Sequence, residues 1–315
     1  MSHELEKAES RLDNVRKVKP ILAALRTISL GSWQLARNRR AGLASYSQRL
    51  ADVLPVVLTH AARQGRSNRV RGSGRPARSG AVSSEQEGAS RAEVLVIGSE
   101  RGLCGRYNKV LLEQLRSHLA GQTVGSDVAI AALGSRLDRD LRVAGYTPVW
   151  TKPTSITALP SFGLASDLVT DWLCRYEAYE LDVVDVVYNV DKGAGTYEPS
   201  VTRLIPPELP RRDARRHLAV APALPADEVI VATDAARLYV QIVEQWTAVT
   251  MYGLLLEGAL TEHSARYQLM ESATQNAGGL EDELILVVQS ARRQSITREM
   301  QELAIGAGLL ADHVS

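Results

Sequence analysis

Glu262-His263-Ser264-Ala265-Arg266 and, further along, Arg292-Arg293-Gln294-Ser295-Ile296-Thr297 belong to one stretch, from about Ala235 to Leu310, around which the rest of the chain is organised. Leu238, Ile242, Trp246, Val249, Leu256 and Leu260, then Leu280, Leu284, Val287 and Val288, then Ile296, Met300 and Leu303 keep helical spacing over many turns. Only Gly278-Gly279 interrupts it, and since each glycine costs a helix interior about 1 kcal/mol, local rules end the helix there. Read as one helix, at about 1.5 Å per residue, the stretch is on the order of 110 Å long, several times the width of a small domain. Such a helix cannot be buried inside its own domain and needs a partner along its length.

The first 61 residues supply a candidate. Val15, Val18, Leu22, Leu25 and Ile28 step by threes and fours, and Leu43, Tyr46, Leu50, Val53 and Val57 resume the stripe. Pro20 removes a backbone donor and costs a helix interior roughly 3 kcal/mol, so the helix either kinks there or restarts with Pro20 in its first turn. The basic run Arg37 to Arg40 lacks aromatic interleaving and reads as a solvated face before a nucleic-acid patch. Residues 62–92 place arginines among Gly, Ser and Pro with almost no apolar side chains, the composition of a flexible insertion.

A compact α/β unit is expected over residues 93–205. Glu93 to Gly98, Asp127 to Leu133 and Asp182 to Tyr188 read as strands, with an edge strand over Tyr197 to Ile205 ending at Pro206-Pro207. Helices are expected over Tyr107 to Leu119, Ser135 to Val143 and Asp167 to Tyr179. Strands alternating with helices imply a mostly parallel, Rossmann-like sheet wrapped by helices. Residues 206–233, rich in Pro and Arg, then form a linker to the C-terminal helix of 234–315. The fold class is therefore α/β plus long helices: an antiparallel coiled coil of the two termini with a central α/β domain.

Composition narrows the function. The 315 residues are 45% hydrophobic and 23% charged, enough for one or two cores, and the net charge of +1 argues against a strongly electrostatic partner. The N-terminus lacks the apolar core of a signal peptide, and no run reaches the ~18 apolar residues of a membrane span, so a cytoplasmic or membrane-peripheral protein is expected. Cys104 and Cys174 are in no ligand spacing and read as structural. The histidines form no metal spacing and no triad with Ser or Cys, so no catalytic, cofactor-binding or metal residues are assigned.

The turn Gly98-Ser99-Glu100-Arg101-Gly102-Leu103-Cys104-Gly105 sits after a strand and before a helix, where free backbone N–H groups favour anions. Its spacing fits neither standard nucleotide pattern. Two readings stand: a nucleotide-binding α/β enzyme using this turn, or a tight turn whose glycines let helix and strand pack closely.

Several motifs resemble the gamma subunit of F-type ATP synthases, the central rotor stalk. In the C-terminal stretch these are Tyr252, Glu257, Glu262-His263 with Ala265-Arg266, Ala273-Thr274 with Asn276-Ala277-Gly278, and Ser295-Ile296-Thr297 with Glu299. Arg101-Gly102-Leu103-Cys104-Gly105 with Asn108 is similar to the family's Arg-Gly-Leu-Cys-Gly-x-x-Asn turn, and Gly134-Ser135-Arg136 to Gly145-Tyr146 to its next strand-to-helix junction. The resemblance implies a non-catalytic rotor that transmits torque from the membrane ring of c subunits to the ring of alpha and beta subunits. It implies contact with the epsilon subunit, one copy per complex, no nucleic acid, and a peripheral place on the cytoplasmic face of the inner (plasma) membrane. Contact with the alpha/beta ring then falls to Arg292, Arg293, Gln294, Thr297 and Glu299, and the bearing tip to Ile305, Leu309 and Leu310. Arg293 and Gln294 depart from the family's Gln and Ala. Pro20 and the insertion after His60 mark a divergent member, and the resemblance carries the helix through Gly278-Gly279.

Overall fold

Strand β1, Arg91–Ile97, is the middle of a five-stranded sheet whose order is β3-β2-β1-β4-β5. The computed structural model describes residues 2–69, 91–121, 127–155, 158–193, 195–207 and 234–306. β1 pairs in parallel with β2, Asp127–Leu133, and with β4, Val183–Gly193. The short β3, Trp150–Lys152, extends the parallel run beyond β2, and β5, Thr196–Ile205, closes the other edge antiparallel to β4. Pro199 is accommodated in this edge strand, where an N–H is not needed for a further neighbour.

Side chains of the central strands alternate between the two faces, and each face buries an apolar layer. Val94 and Val96 pack with Tyr107, Leu111 and Leu115 of α2 (Tyr107–Ala120) and with Leu137 and Leu141 of α3 (Ser135–Val143). Leu95 and Ile97 face the other way, against Leu168 and Trp172 of α4 (Phe162–Glu177) and Met251 and Leu255 of α5 (Ala235–Gly306). Two carboxylates lie inside this layered core, and both are paired. Glu93 of β1 accepts hydrogen bonds from Trp150 Nε1 at 3.0 Å, Trp172 Nε1 at 2.9 Å and Arg175 at 2.7 Å. Asp185 of β4 accepts from Arg203 at 3.0 and 3.2 Å, with His118 Nε2 at 3.1 Å.

The long helices are α1, Ser2–Arg69, and α5. α1 runs without interruption past Pro20 and past the expected end at residue 61. Pro20 and Arg16, whose carbonyl the proline deprives of a donor, both lie on the exposed side of the helix. α5 runs through Gly278-Gly279, as the resemblance implied. The structure differs from the sequence reading at three elements: α4 begins at Phe162, where the Ser161 hydroxyl accepts from Leu164 N, β4 continues past Tyr188 to Gly193 through residues expected to turn, and β3 was not foreseen. Cys104 is buried, but Cys174 is exposed on α4 and so has no place in the core.

The chain divides into two compact units, Gly31–Ala265 and Met1–Leu30 with Arg266–Ser315. The larger holds the sheet. Within it α1 meets α5 through Trp33, Ala36 and Leu43 against Leu256 and Leu260, and Arg40 Nε lies 2.7 Å from the buried Glu257 carboxylate. In the smaller unit Ala8 and Leu12 pack on Leu284 and Val288. Arg292 donates to Glu9 at 3.0 Å, Arg16 and Lys19 to Glu281 at 3.0 and 2.8 Å, and Arg26 to Glu271 at 2.8 Å. These pairs descend α5 as they climb α1, so the two segments run antiparallel. The expected stripe is only partly the packed one: its Val57 is buried, but Val18, Ile28, Tyr46 and Val53 are exposed, and Leu12, Ala36 and Leu54, outside it, are buried.

Candidate coupling surfaces

The expected ring-contact residues lie on the last described turns of α5. Arg292, Arg293, Gln294, Thr297 and Glu299 are all exposed. Arg292 is engaged by Glu9 of α1, the Thr297 hydroxyl bonds back to the Arg293 carbonyl at 2.8 Å, and Ser295 donates to Glu299 at 3.2 Å. Arg293 and Gln294 project beside them. Between these polar residues an apolar row faces outward: Ile296, Met300 and Leu303 are 58, 66 and 73% exposed, at helical steps of four and three. Ile305, expected at the bearing tip, is exposed as well, while Leu309 and Leu310 lie outside the described residues.

The turn between β1 and α2 is built by its own side chains. Asn108 is buried; its Oδ1 accepts from the Ser99 backbone N–H and hydroxyl, both at 3.1 Å, and its amide donates to Asp140 at 2.8 Å. Gly98 N donates to Leu133 O, continuing the sheet. A Cβ on Gly98 would stand 2.6 Å from Leu137 Cβ, so here glycine permits close approach of helix to strand. Glu100 reaches the start of α3, accepting from Ser135 N at 3.0 Å, its hydroxyl at 2.7 Å and Thr154 N at 2.8 Å. Partial burial pushes this carboxyl up, but the hydrogen bonds from Ser135 and Thr154 outweigh it and hold the group below the usual carboxylate range. The N–H groups of Gly98, Ser99 and Ser135 are therefore spent on protein acceptors, and the anion position at α3 already holds a carboxylate. That arrangement favours the tight-turn reading over the nucleotide-binding one.

Arg101, Gly102, Leu103 and Gly105 form the outer rim of the turn, and Cys104 points into the core, its thiol 3.7 Å from the Arg101 carbonyl. Leu103 is exposed in the left-handed region at φ 64°. Gly102, Leu103 and Gly105 of the rim, with Asn108, Lys109, Arg136 and Val143, line an open cleft of about 420 Å³. Among the described residues no group of three His, Cys, Asp or Glu side chains could hold a metal ion.

Sequence reasoning singled out Glu257, Glu262-His263 and Ala265-Arg266 only through the resemblance, and the structure buries all five. It missed Glu93, hidden in an apolar strand, and Tyr107, whose buried phenol is held protonated by desolvation and by the Glu262 carboxylate. A polar residue inside an apolar strand run was the available signal for Glu93.

A family model described as ATP synthase matches residues 4–310. The ATP synthase gamma chain of Desulfitobacterium hafniense is 26% identical over 306 residues, covering 95% of this chain and 96% of its own. That of Pseudarthrobacter chlorophenolicus is 29% identical over 239 residues, covering 73% and 77%. Among solved structures, the central stalk and c-ring of the Tetrahymena thermophila mitochondrial ATP synthase includes a chain that aligns with a TM-score of 0.51 at 17% identity, over 80% of this chain and 99% of that one. The fold agrees with a central stalk, and the match over nearly the whole length means that the chain belongs to the ATP synthase gamma-chain family.

Proposed function

We propose that this chain is the central-stalk rotor of an F-type ATP synthase, turning inside a ring of alpha and beta subunits and coupling that ring to ion flow through the membrane c-ring. It does no chemistry itself. The observation that carries the reading is the outward apolar surface of the smaller unit. Two helical segments that pack on each other through Ala8, Leu12, Leu284 and Val288 leave Ile21, Leu286, Met300 and Leu303 more than half exposed. Apolar side chains exposed along the two helices suit enclosure by a partner, and an apolar sleeve grips without directional bonds that rotation would have to break. The helices 2–30 and 266–306 act as an antiparallel coiled-coil shaft, registered by the ion pairs from Glu9–Arg292 to Arg26–Glu271.

In this reading Arg293, Gln294, Thr297 and Glu299 meet the alpha/beta ring, with Arg292 held ready by Glu9, and Ile305, Leu309 and Leu310 form the bearing. The epsilon subunit and the c-ring bind the α/β unit, one copy serves each complex, and no nucleic acid is bound. No described helix is long and apolar enough to cross a membrane; in this reading the chain is attached to the cytoplasmic face of the inner membrane through the c-ring. Co-purification with alpha and beta subunits tests the proposal. An α/β/γ complex whose ATPase activity depends on this chain is expected; no assembly, or activity unchanged when the chain is omitted, would refute it.

A further inference from the structure

In a doubly wound sheet the ligand site is the crevice beyond the carboxyl ends of the strands where the chain order reverses. Here the order reverses between β1 and β4, since β1 leads to β2 and β3 on one side and the chain then crosses to β4 on the other. That crevice is filled by α5. A Cβ added to Gly258 would lie 2.7 Å from Cγ2 of Ile97, the last residue of β1, so the helix backbone rests directly on the strand end. Tyr107, wholly buried at the start of α2, donates its hydroxyl to Gly258 O at 2.9 Å and stands 3.1 Å from the Thr261 hydroxyl. Thr261 reaches the Asn189 carbonyl of β4 at 3.3 Å, and the Asn189 amide returns to Tyr107 O at 3.3 Å. One residue before Gly258, the Glu257 carboxylate accepts from Asp191 N of β4 at 2.9 Å and pairs with Arg40 of α1.

We infer that the segment Glu257–Thr261 is the torque anchor of the rotor: the crevice that holds a ligand in related sheets here holds the shaft helix, gripped by Tyr107, Asn189 and the Asp191 amide. The inference rests on the rotor reading and goes beyond it by naming where the α/β unit grips the helix. Packing resists a helix being pulled off a sheet, but side chains can slide past one another. Hydrogen bonds to a helix carbonyl and to a carboxylate on the same turn fix both rotation and translation, which is what load demands. The residues are positioning residues, since they touch no reacting group.

The whole complex, reconstituted in liposomes, provides the test, with ATP-driven ion uptake and ATP hydrolysis measured together, with and without an opposing ion gradient. Tyr107→Phe keeps the ring and removes only the hydroxyl. It leaves the buried Gly258 carbonyl without that donor, which shifts the balance between seated and slipped helix by about tenfold. Gly258→Ala forces the helix off Ile97. Both variants are expected to hydrolyse ATP at the wild-type rate without a gradient and to lose ion uptake per ATP several-fold against one. Leu141→Ala, which loosens the α3 face and removes no hydrogen bond to α5, is the control and should keep the ratio. Wild-type ratios under load in both variants, or an equal loss in Leu141→Ala, would overturn the anchor. If instead a complex without the chain still pumps, it is the rotor reading that fails, whatever the variants do.

Discussion

The two units treat their apolar residues in opposite ways. In Gly31–Ala265 the central strands bury Val94, Leu95, Val96, Val186 and Val187 completely, between helices on both faces. In the helical unit the fully or nearly buried apolar side chains are few, and Leu286, Met300 and Leu303 are about two-thirds exposed or more. Both segments have the periodicity of structured protein, so the difference lies in what covers them. The sheet is covered from within the chain. The helices are covered only in part, and helices in proteins gain most of their stability from tertiary packing.

The sharpest way to break this contrast is hydrogen exchange on the isolated chain. Amides of β1, β2 and β4 should open only with global unfolding, in the range of about 5–15 kcal/mol, while those of 2–30 and 266–306 open at free energies lower by about 5 kcal/mol. Adding the alpha/beta ring should close that gap; equal protection in the isolated chain would contradict the idea that the helices need a sleeve. The next largest effect belongs to Glu93→Ala. It strands two indole N–H groups and Arg175 around a vacated buried position, and should cost about 3 kcal/mol in denaturant unfolding, at the lower end for a broken buried pair because Arg175 is one-third exposed.

Much of this was legible in the sequence, for reasons that also explain what was not. Val94 to Ile97 and Ala129 to Leu133 announced strands because parallel strands covered on both faces are continuously apolar, and Val183 to Val187 did so around the single polar residue Asp185. The short β3 was hidden, since three residues carry no period and Trp150 is placed by its bond to Glu93 across the sheet. On the helices spacing revealed the structure but not the packed face: Val18, Ile28, Ile296 and Met300 fit the stripe as well as Leu12 and Val288 do, and periodicity does not distinguish burial within the chain from burial in a partner. Arg40 read as part of a solvated run, and only the fold brings it to Glu257, 217 residues away in number from 40 to 257. The turn glycines were correctly ambiguous, because a strand-turn-helix junction looks the same whether its N–H groups meet a phosphate or, as at Ser99, the Asn108 side chain.

Glu100 offers a smaller test within the self-covered unit. Its carboxyl is held below the ordinary range in the folded chain, so its stabilising effect is fully present above the unfolded value of about 4.3 and is lost as pH falls through the folded value beneath it. Glu100→Gln should cost about 1 kcal/mol at neutral pH, the size of a helix-capping interaction. The difference from wild type should fade as urea midpoints are followed into acid; a deficit that persists unchanged there would mean that packing, not charge, was lost.

The smallest expected effect sharpens the contrast from the other side. A Cβ on Gly279 meets nothing within 4 Å, and the residue is exposed, so nothing in the chain itself requires glycine. Gly279→Ala should therefore stabilise α5 by slightly under about 1 kcal/mol, the intrinsic preference of alanine in a helix interior. The gain should appear as slower exchange of amides around residue 279 in the isolated chain, with the β-strand amides unchanged. If the shaft is enclosed in the complex, the same methyl group stands where a partner can approach. A stabilised chain that assembles less readily would then locate a close approach of the sleeve at Gly279, whereas no change in exchange would show that the helix there is already fixed by contacts within the chain.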